Sequence, residues 1–466
     1  MALAWVRKLG TEYASDLVFV NNFLSDFCKA LNLSNPCKIE ELDFSEIQRW
    51  VEADKVRKEQ VSKEEKKAQA AERKKIREAN KEKYGFATVN GERVELGNYT
   101  VEPPCIFMGR GNHPLRGRWK SRVSYSDITL NLSPDAAKPV PPDGSSWKEI
   151  VFNPDYLWIA RWDDKLRGVE KYVWFADTAE FKQRRDIEKF NLAKQLEATL
   201  EKVRRHMEEN LASPDPMRRK IATVCYLIDN LKMRVGDEKD RDEADTVGAT
   251  TLRSEHVKIS ENGEVTFDFL GKDSVRWLQK ISPPPQVAED LKESIGRKRK
   301  SLLFQGVRSE KVNSFLDEVM PGLTAKVFRT HHATKVVKEY LAAAKVTREN
   351  DDALKKHTAT LANLQAAKTC NHKRKLPKNW NESIAKKLQR LKELRTKRKK
   401  KQAKTLSMRI KLLKATRDYN LGTSLRSYID PRTYAEWGRR VNYDWKKYYP
   451  KTLQRKFAWV DKAKYA

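Results

Sequence analysis

The side chains in this sequence that could carry out a reaction are cations and tyrosines, because the usual signatures of nucleotide and metal chemistry are missing. No GxxxxGK[ST] loop for ATP phosphates occurs, and neither an HExxH motif nor paired Cys/His spacing indicates a metal. Phosphoryl transfer can proceed without a metal when fixed cations surround the phosphorus, and the planar guanidinium of Arg matches two phosphate oxygens. A Tyr hydroxyl can then act as the nucleophile, and Lys or His can protonate the leaving oxygen. Residue types alone do not select the members of such a site.

Charge and composition indicate a partner that carries dense negative charge. The chain has 466 residues, with 95 Lys plus Arg against 64 Asp plus Glu, so the formal net charge is 95 − 64 = +31. Residues 371–420 hold 19 basic and 3 acidic side chains, a net charge of +16, whereas residues 1–50 have a net charge of −2. A hydrophobic content of 39% is enough for a folded core. Nucleic acid is therefore the first candidate for the partner.

The sequence also predicts the compartment. It has no run of 18 apolar residues, which predicts that no segment spans a membrane, and Met1–Arg7 does not read as a secretory signal. The five cysteines are scattered and include no CxxC pair. Neither a disulfide framework nor a Cys-rich zinc site is favoured, and a reducing, intracellular compartment is expected.

The secondary structure that must position reactive residues is predicted to change from helices to strands along the N-terminal part of the chain. Residues 1–50 predict a small packed helical unit. Residues 54–84 are charged and helix-favouring, and they predict one helix that ends at Gly85. That helix is either a solvated connection or a basic arm beside DNA. Residues 86–180 predict short strands separated by prolines.

The remainder is predicted to be mostly helical. An Asn262-Gly263 pair predicts a hairpin that joins strands Val257–Ile259 and Val265–Leu270. Residues 381–417 contain no Gly or Pro, and their apolar residues keep near-heptad spacing, which predicts two helices folded back on each other. These apolar residues are Ile384, Leu388, Leu391, Leu394, Leu406, Ile410 and Leu413. The turn between the helices cannot be placed, because Arg398–Lys401 carries no turn residue.

Long flanking segments then select the reactive residues. Leu421–Arg432 reads LGTSLRSYIDPR, and Tyr449–Trp459 reads YPKTLQRKFAW. The first segment resembles the active-site tyrosine segment of the eukaryotic-type (nuclear) DNA topoisomerase IB family, and the second resembles the C-terminal tail of that family. Five further segments resemble that family in the same order. They are Phe107–Pro114, Met233–Gly248, Phe269–Ser274, Leu323–Thr330 and Cys370–Lys373. The resemblance covers nearly the whole chain from about residue 40 onward.

The resemblance implies a role for five residues. Tyr428 would attack a DNA phosphate and become a 3′-phosphotyrosine, and Lys272 would protonate the leaving 5′ oxygen. Arg234 and Arg329 would hold the non-bridging oxygens, and His372 would donate a hydrogen bond to the same phosphate. No cofactor or metal is implied. The matched positions also imply DNA contacts by Arg110, Lys120, Asp273, Lys326 and Thr423.

The implied fold is a multidomain α+β clamp that encircles DNA, with a cap, a β-rich lobe, a helical linker and a mainly α catalytic domain similar to tyrosine recombinases. The expected N-terminal domains are a cap subdomain over 1–65, which is expected to be truncated, and a charged helix with a β-rich DNA-binding lobe over 66–178. The expected C-terminal domains are a catalytic core over 179–376, a basic helical linker over 377–418 and a C-terminal domain with the tyrosine over 419–466. The linker either exerts electrostatic drag on rotating DNA or is a solvated coiled coil.

The resemblance implies the activity of a type IB DNA topoisomerase. Such an enzyme relaxes positive and negative supercoils without ATP or metal, by transient single-strand cleavage, controlled rotation and religation, in support of replication and transcription. The expected partner is double-stranded DNA, with no membrane association and a monomeric state. The expected location is nuclear, on chromatin, with the nucleolus as a candidate. A site-specific tyrosine recombinase and a DNA-binding architectural protein with a decayed site are the alternatives.

Three positions depart from the family's usual pattern. Leu425 stands where the family commonly has Lys, Ser427 stands where it commonly has Asn, and Met108 stands where an Arg is usual. Camptothecin-type inhibitors of this family pack near Arg110, Asp273 and position 427. The shorter Ser427 side chain predicts weaker sensitivity to such inhibitors.

Overall fold

The chain forms two compact units in the computed structural model, which describes residues 1–33, 38–109, 111–237, 247–271, 275–296, 298, 300–374, 376–377 and 379–462. The N-terminal unit spans Met1–Ala179, and the C-terminal unit follows from Glu180. Both contain helices and small sheets, so the α+β, multidomain prediction is confirmed. None of the helices in these ranges is both long and apolar enough to cross a lipid bilayer.

Four helices open the N-terminal unit: α1 (Ala2–Val6), α2 (Leu17–Ala30), α3 (Ser45–Gln60) and α4 (Lys63–Tyr84). The prediction of one helix over 54–84 is wrong, because α3 ends at Gln60 and a separate helix, α4, begins at Lys63. The Ser62 hydroxyl accepts from the Glu65 N–H, and the Glu65 carboxylate accepts from the Ser62 N–H. This capping box starts a new helix at a position that helix propensity alone does not reveal. Gly85 ends α4 as predicted, and its N–H donates to the Lys81 carbonyl.

The β-rich prediction for residues 86–180 is confirmed. The strands are β1 (Phe86–Val89), β2 (Glu92–Glu95), β3 (Cys105–Ile106), β4 (Trp119–Lys120), β5 (Ile128–Asn131), β6 (Glu149–Val151), β7 (Trp158–Asp164) and β8 (Val169–Trp174). β1 pairs with β2 and β3 with β4, whereas the last four strands form one sheet in the order β6-β5-β7-β8. In that sheet only β5 and β6 run parallel.

Helix α2 holds the loop between β3 and β4 in place. Asp16 accepts from Arg116 Nη2 at 3.0 Å, and the Asn22 amide donates to the Arg116 carbonyl at 2.8 Å. Gly117 has φ +93°, and a Cβ there would lie 2.1 Å from the Phe19 carbonyl oxygen, so only glycine allows this approach. Cys28 of α2 is disulfide-bonded, a bond that the scattered cysteines did not predict.

The C-terminal unit is mainly helical around one small sheet. Its elements are α5 (Glu180–Leu211), α6 (Pro216–Leu231), β9 (Val257–Ile259), β10 (Val265–Gly271), β11 (Val275–Ile281), α7 (Pro285–Ser294), α8 (Ser309–Asp317), α9 (Ala325–Ala343), α10 (Asp352–Thr369), α11 (Trp380–Thr396), α12 (Lys400–Ala415), α13 (Leu421–Ser427), α14 (Pro431–Val441), α15 (Lys451–Lys456) and α16 (Trp459–Lys462). The Asn-Gly hairpin is confirmed, with Val265 opposite Ile259. The third strand, β11, pairs antiparallel with β10.

Two apolar clusters support this unit. One packs α5, α6 and the start of α9 against the sheet, with Phe267 and Phe328 fully buried. The other joins α9 and α10 to the aromatic C-terminal segment, in which Trp437 and Trp445 are buried. Helix α9, which carries Arg329, and helix α13, which directly precedes Tyr428, therefore both pack on apolar support.

The basic segment forms the predicted pair of helices, α11 and α12. Ile384, Leu391, Leu394 and Ile410 lie in their shared core, whereas Leu388 is 37% exposed and was wrongly placed in the apolar stripe. The turn falls at Arg398, whose φ is +50°. This left-handed conformation is unusual for a residue with a Cβ, which explains why the sequence did not reveal the turn.

Candidate active site

A small cavity of about 80 Å³ lies within the C-terminal unit. Four of the predicted site residues, Arg234, Arg329, His372 and Thr423, line it. They come from the segment after α6, from α9, from the segment after α10 and from α13. Residues separated by up to about 190 positions in sequence thus share one cavity, and the fold rather than local spacing brings them together.

Arg329 of α9 is held by two backbone carbonyls. Its side chain is buried, with Nη1 donating to the Lys232 carbonyl and Nη2 donating to the Cys370 carbonyl at 3.0 Å. Lys232 ends α6 with φ +56°, a left-handed residue. Carbonyl partners orient the guanidinium but leave its positive charge uncompensated, so the cation stays available to an anion.

A helix-terminating motif places His372. The Asn371 N–H donates to the Lys368 carbonyl and the His372 N–H donates to the Ala367 carbonyl, while Asn371 has φ +52°. These two bonds and the left-handed Asn form a Schellman motif at the end of α10. The His372 carbonyl then accepts from the Asn420 N–H at 2.7 Å. The histidine is thereby tied to the residue that precedes α13.

The His372 ring is buried between two partners. Its Nε2 lies 3.3 Å from Arg329 Nη2, and its Nδ1 lies 2.7 Å from the hydroxyl of Ser424. Burial, together with the nearby charges of Arg329 and Arg234, lowers the pKa of His372 to about 3. The imidazole is therefore neutral at physiological pH, and the arginines carry the positive charge of the site.

Tyr428 follows the last turn of α13 and faces this cluster. Its ring centre lies 5.0 Å from the guanidinium of Arg329 and 5.1 Å from the ring centre of His372. Burial alone would raise the pKa of the phenol, but the charges of Arg329 and Arg234 outweigh it and lower the pKa of Tyr428 below 10. The environment thus makes it easier for the side chain to lose its proton and become the phenolate, which is the nucleophilic form.

Arg234 completes the cationic side of the cavity. Its backbone carbonyl accepts from the Ala249 N–H at 2.8 Å, which fixes the segment after α6. Within the described part of the chain, its guanidinium forms no ion pair. Its side chain lines the cavity, so an anion that entered there could receive hydrogen bonds from Arg234.

The other predicted site residues lie in different places. Thr423 lines the cavity, and Lys326 is exposed on α9 one turn before Arg329. Lys120 belongs to the N-terminal unit, where it is buried and paired with Glu102 and with Asp164 at 2.9 Å. Its charge already has two partners within the protein. Arg110, Lys272 and Asp273 lie outside the described residues.

Two features of the site escaped the sequence analysis. Ser424 bonds to His372 and stands four residues before Tyr428, a spacing that puts it on the same helical face and could have drawn attention to it. The second feature is the buried carboxylate of Asp229 in α6, which accepts from His332 at 2.6 Å and from Arg204 at 2.8 Å. These bonds lower the pKa of Asp229 to about 2 despite its burial. They also connect α6 to α5 through Arg204 and to α9 through His332.

The chain is similar to known proteins along almost its whole length. Three family models match in succession: the DNA binding fragment of eukaryotic DNA topoisomerase I over residues 1–175, its catalytic core over 178–405 and a C-terminal topoisomerase domain over 400–465. The chain belongs to the eukaryotic DNA topoisomerase I family.

Curated relatives from distant eukaryotes are similar over almost the whole chain. It is 32% identical to DNA topoisomerase 1 of Drosophila melanogaster over 98% of its length and 32% identical to DNA topoisomerase 1 of Homo sapiens over 99%. DNA topoisomerase 1 beta of Arabidopsis thaliana is 34% identical over 97%. The aligned regions cover 50%, 65% and 53% of these three relatives, so the chain spans one half to two thirds of their length.

Proposed function

We propose that this protein is a type IB DNA topoisomerase that relaxes positive and negative supercoils through a transient break in one strand. The observation that carries the proposal is the position of the Tyr428 ring beside Arg329, which lines a cavity together with Arg234 and His372. A tyrosine whose pKa is lowered by two arginines is suited to attack a phosphate whose charge the same arginines stabilise.

The proposed cleavage step exchanges one ester for another. The Tyr428 oxygen loses its proton to solvent and bonds to phosphorus, and the bond between phosphorus and the 5′ oxygen breaks. Lys272, assigned by family resemblance, gives a proton to that oxygen and so releases a 5′-hydroxyl. The product is a 3′-phosphotyrosine, which conserves the bond energy of the strand. Religation reverses each transfer and therefore needs neither ATP nor a metal.

The remaining residues act on the charge of the phosphate. Arg234 and Arg329 would each donate to non-bridging oxygens, and His372 would donate one further hydrogen bond. Removing a single donor of this kind from an active site typically costs on the order of 10²- to 10³-fold in rate. The buried position of Arg329 strengthens its effect, because few water molecules screen its charge.

We further infer that the two units close on double-stranded DNA as a clamp and that backbone phosphates supply most of the binding. The net charge of +31 and the basic helices α11 and α12 support such binding. The helices would lie beside the DNA as the linker of the family does, and Lys326 and Thr423 would contact it near the cavity. We propose that the protein acts as a monomer in the nucleus, on chromatin, during replication and transcription.

The decisive experiment uses negatively and positively supercoiled plasmids in EDTA without ATP. The unaltered chain should produce ladders of relaxed topoisomers from both plasmids. Tyr428→Phe, which keeps the ring but removes the nucleophilic oxygen, should produce none while still binding DNA. A labelled strand should remain attached to the protein through its 3′ end after denaturation. Recombined products, or relaxation by the Phe variant, would overturn the proposal.

A further inference from the structure

Ser424 links His372 to the segment that carries Tyr428. Its side chain is fully buried, and its hydroxyl lies 2.7 Å from Nδ1 of His372. Its backbone carbonyl accepts from the Tyr428 N–H at 3.0 Å, one helical turn later. The same residue therefore contacts both the segment that carries the nucleophile and the imidazole of His372.

The hydrogen atoms between Arg329, His372 and Ser424 cannot all find acceptors at once. Arg329 Nη2 can only donate, so the imidazole nitrogen that lies 3.3 Å from it accepts when the neutral ring carries its proton on Nδ1. Nδ1–H then donates to the Ser424 hydroxyl, whose own hydrogen has no other partner among the described residues. In the other tautomer the hydroxyl donates to Nδ1, but Nε2–H and the guanidinium face each other as two donors.

A phosphate oxygen that accepts from both Arg329 and His372 removes this conflict. Arg329 would donate to the oxygen, Nε2–H would donate to the same phosphate, and the Ser424 hydroxyl would turn and donate to Nδ1. A hydroxyl can make this change by rotation, since it is both a donor and an acceptor. The proton on Nδ1 is released to water and another is taken up at Nε2, so the imidazole stays neutral.

We propose that Ser424 is a positioning residue that selects the tautomer of His372 in which Nε2 donates to the scissile phosphate. This inference rests on the proposed topoisomerase function and assigns Ser424 no direct contact with DNA. It predicts that the effect of Ser424 on cleavage passes through His372. A residue that merely supported α13 would instead affect Tyr428 whether or not the histidine is present.

A double-mutant cycle separates these two cases. Single-turnover cleavage of a labelled duplex would be measured for the unaltered chain, Ser424→Ala, His372→Ala and the double variant. Ser424→Ala should be slower by roughly tenfold, the upper range for one neutral hydrogen bond. The double variant should be no slower than His372→Ala alone. Losses that multiply, or a Ser424→Ala variant as fast as the unaltered chain, would overturn the inference.

Two further measurements guard against misfolding and test the cause. Ser424→Thr keeps the hydroxyl and should restore cleavage relative to Ser424→Ala. Ser424→Cys restores the size of the side chain but not the hydroxyl, and it should not restore cleavage. Nitrogen chemical shifts of labelled histidine should show His372 changing from the Nδ1–H to the Nε2–H form when the Tyr428→Phe protein binds a duplex. No change in tautomer would refute the proposed role. Failure of the unaltered chain to cleave DNA would refute the proposed function instead.

Discussion

The guanidinium of Arg329 lies 5.0 Å from the centre of the Tyr428 ring, although 99 positions separate the two residues in sequence. Burial raises the pKa of the phenol, and the charges of Arg329 and Arg234 outweigh that effect, so the pKa of Tyr428 lies below its usual value. The backbone carbonyls of Lys232 and Cys370 orient the guanidinium without neutralising it. The site thus combines a dry environment with uncompensated positive charge, which is the combination that an attacking oxyanion and a phosphate both require.

The geometry of this pair leads to an expectation for Arg329→Lys. A lysine keeps the charge but cannot donate to both carbonyls and to a phosphate from a planar fork. We expect the single-turnover rate of cleavage to fall on the order of 10²- to 10³-fold. We also expect the rate to need a higher pH, because the phenol loses part of its stabilisation as an anion.

The matched control for that variant is Arg218→Lys. Arg218 pairs with Glu318 at 2.8 Å and does not line the cavity. Its replacement should change the cleavage rate by less than about twofold, in line with the small worth of a partly exposed ion pair. A cleavage rate for Arg329→Lys that matched this control would show that charge alone is sufficient at position 329.

The buried imidazole of His372 should make the protein sensitive to acid. Its pKa is about 3 in the folded chain and 6.5 as a free side chain, so below pH 6.5 the unfolded chain binds a proton that the folded chain does not. Stability should therefore fall as the pH falls from 6.5 towards 3, by about 1.4 kcal/mol per pH unit for this group. His372→Gln should reduce that slope, as measured by urea denaturation at several pH values.

A second histidine serves as the control for this experiment. His357 is only partly buried, and its pKa is lowered chiefly by partial burial and then by the nearby charge of Lys411. His357→Gln should change the pH dependence less than His372→Gln does. Equal slopes for the His372 variant and the unaltered chain would mean that the imidazole is not held neutral by the fold.

Two of the lysines predicted to contact DNA should behave differently. Lys120 is buried with Asp164, so Lys120→Met should destabilise the N-terminal unit by roughly 1–2 kcal/mol, because the buried carboxylate loses one charged donor but keeps Arg167. Lys326 is exposed, so Lys326→Ala should reduce stability less than Lys120→Met does and should reduce the salt dependence of DNA binding by about 0.9 in log–log slope. A stable Lys120→Met protein with a reduced salt slope would restore Lys120 as a direct phosphate contact.

Position 427 should control the response to camptothecin-type inhibitors. Ser427 is exposed at the end of α13, directly before the nucleophile, and it is shorter than the Asn common in the family. We expect Ser427→Asn to raise the amount of covalent complex trapped by camptothecin severalfold, because the longer side chain adds a contact to the drug. Trapping is measured on a labelled duplex, with Ser427→Ala as the control that should show no gain. Equal trapping of the unaltered and Asn proteins would contradict this expectation.

Much of the fold could be predicted from local pattern. Hydrophobic spacing predicted the paired helices α11 and α12, and the Asn262-Gly263 turn predicted the hairpin of β9 and β10. The errors arose where one side chain overrides propensity or where backbone conformation is unusual. Ser62 divides the charged segment by capping a new helix, and Arg398 turns the chain in a left-handed conformation.

The sequence by itself determined the family of the chain and the identity of its candidate reactive residues, because long flanking segments preserve residue types in order. Only the tertiary structure decided how those residues act on one another. The pKa of Tyr428 depends on its distance from two arginines and on burial, and the proton on His372 depends on Ser424. The pKa of Tyr428 and the tautomer of His372 both depend on distances between residues that are far apart in the sequence. A local sequence pattern contains no information about such distances.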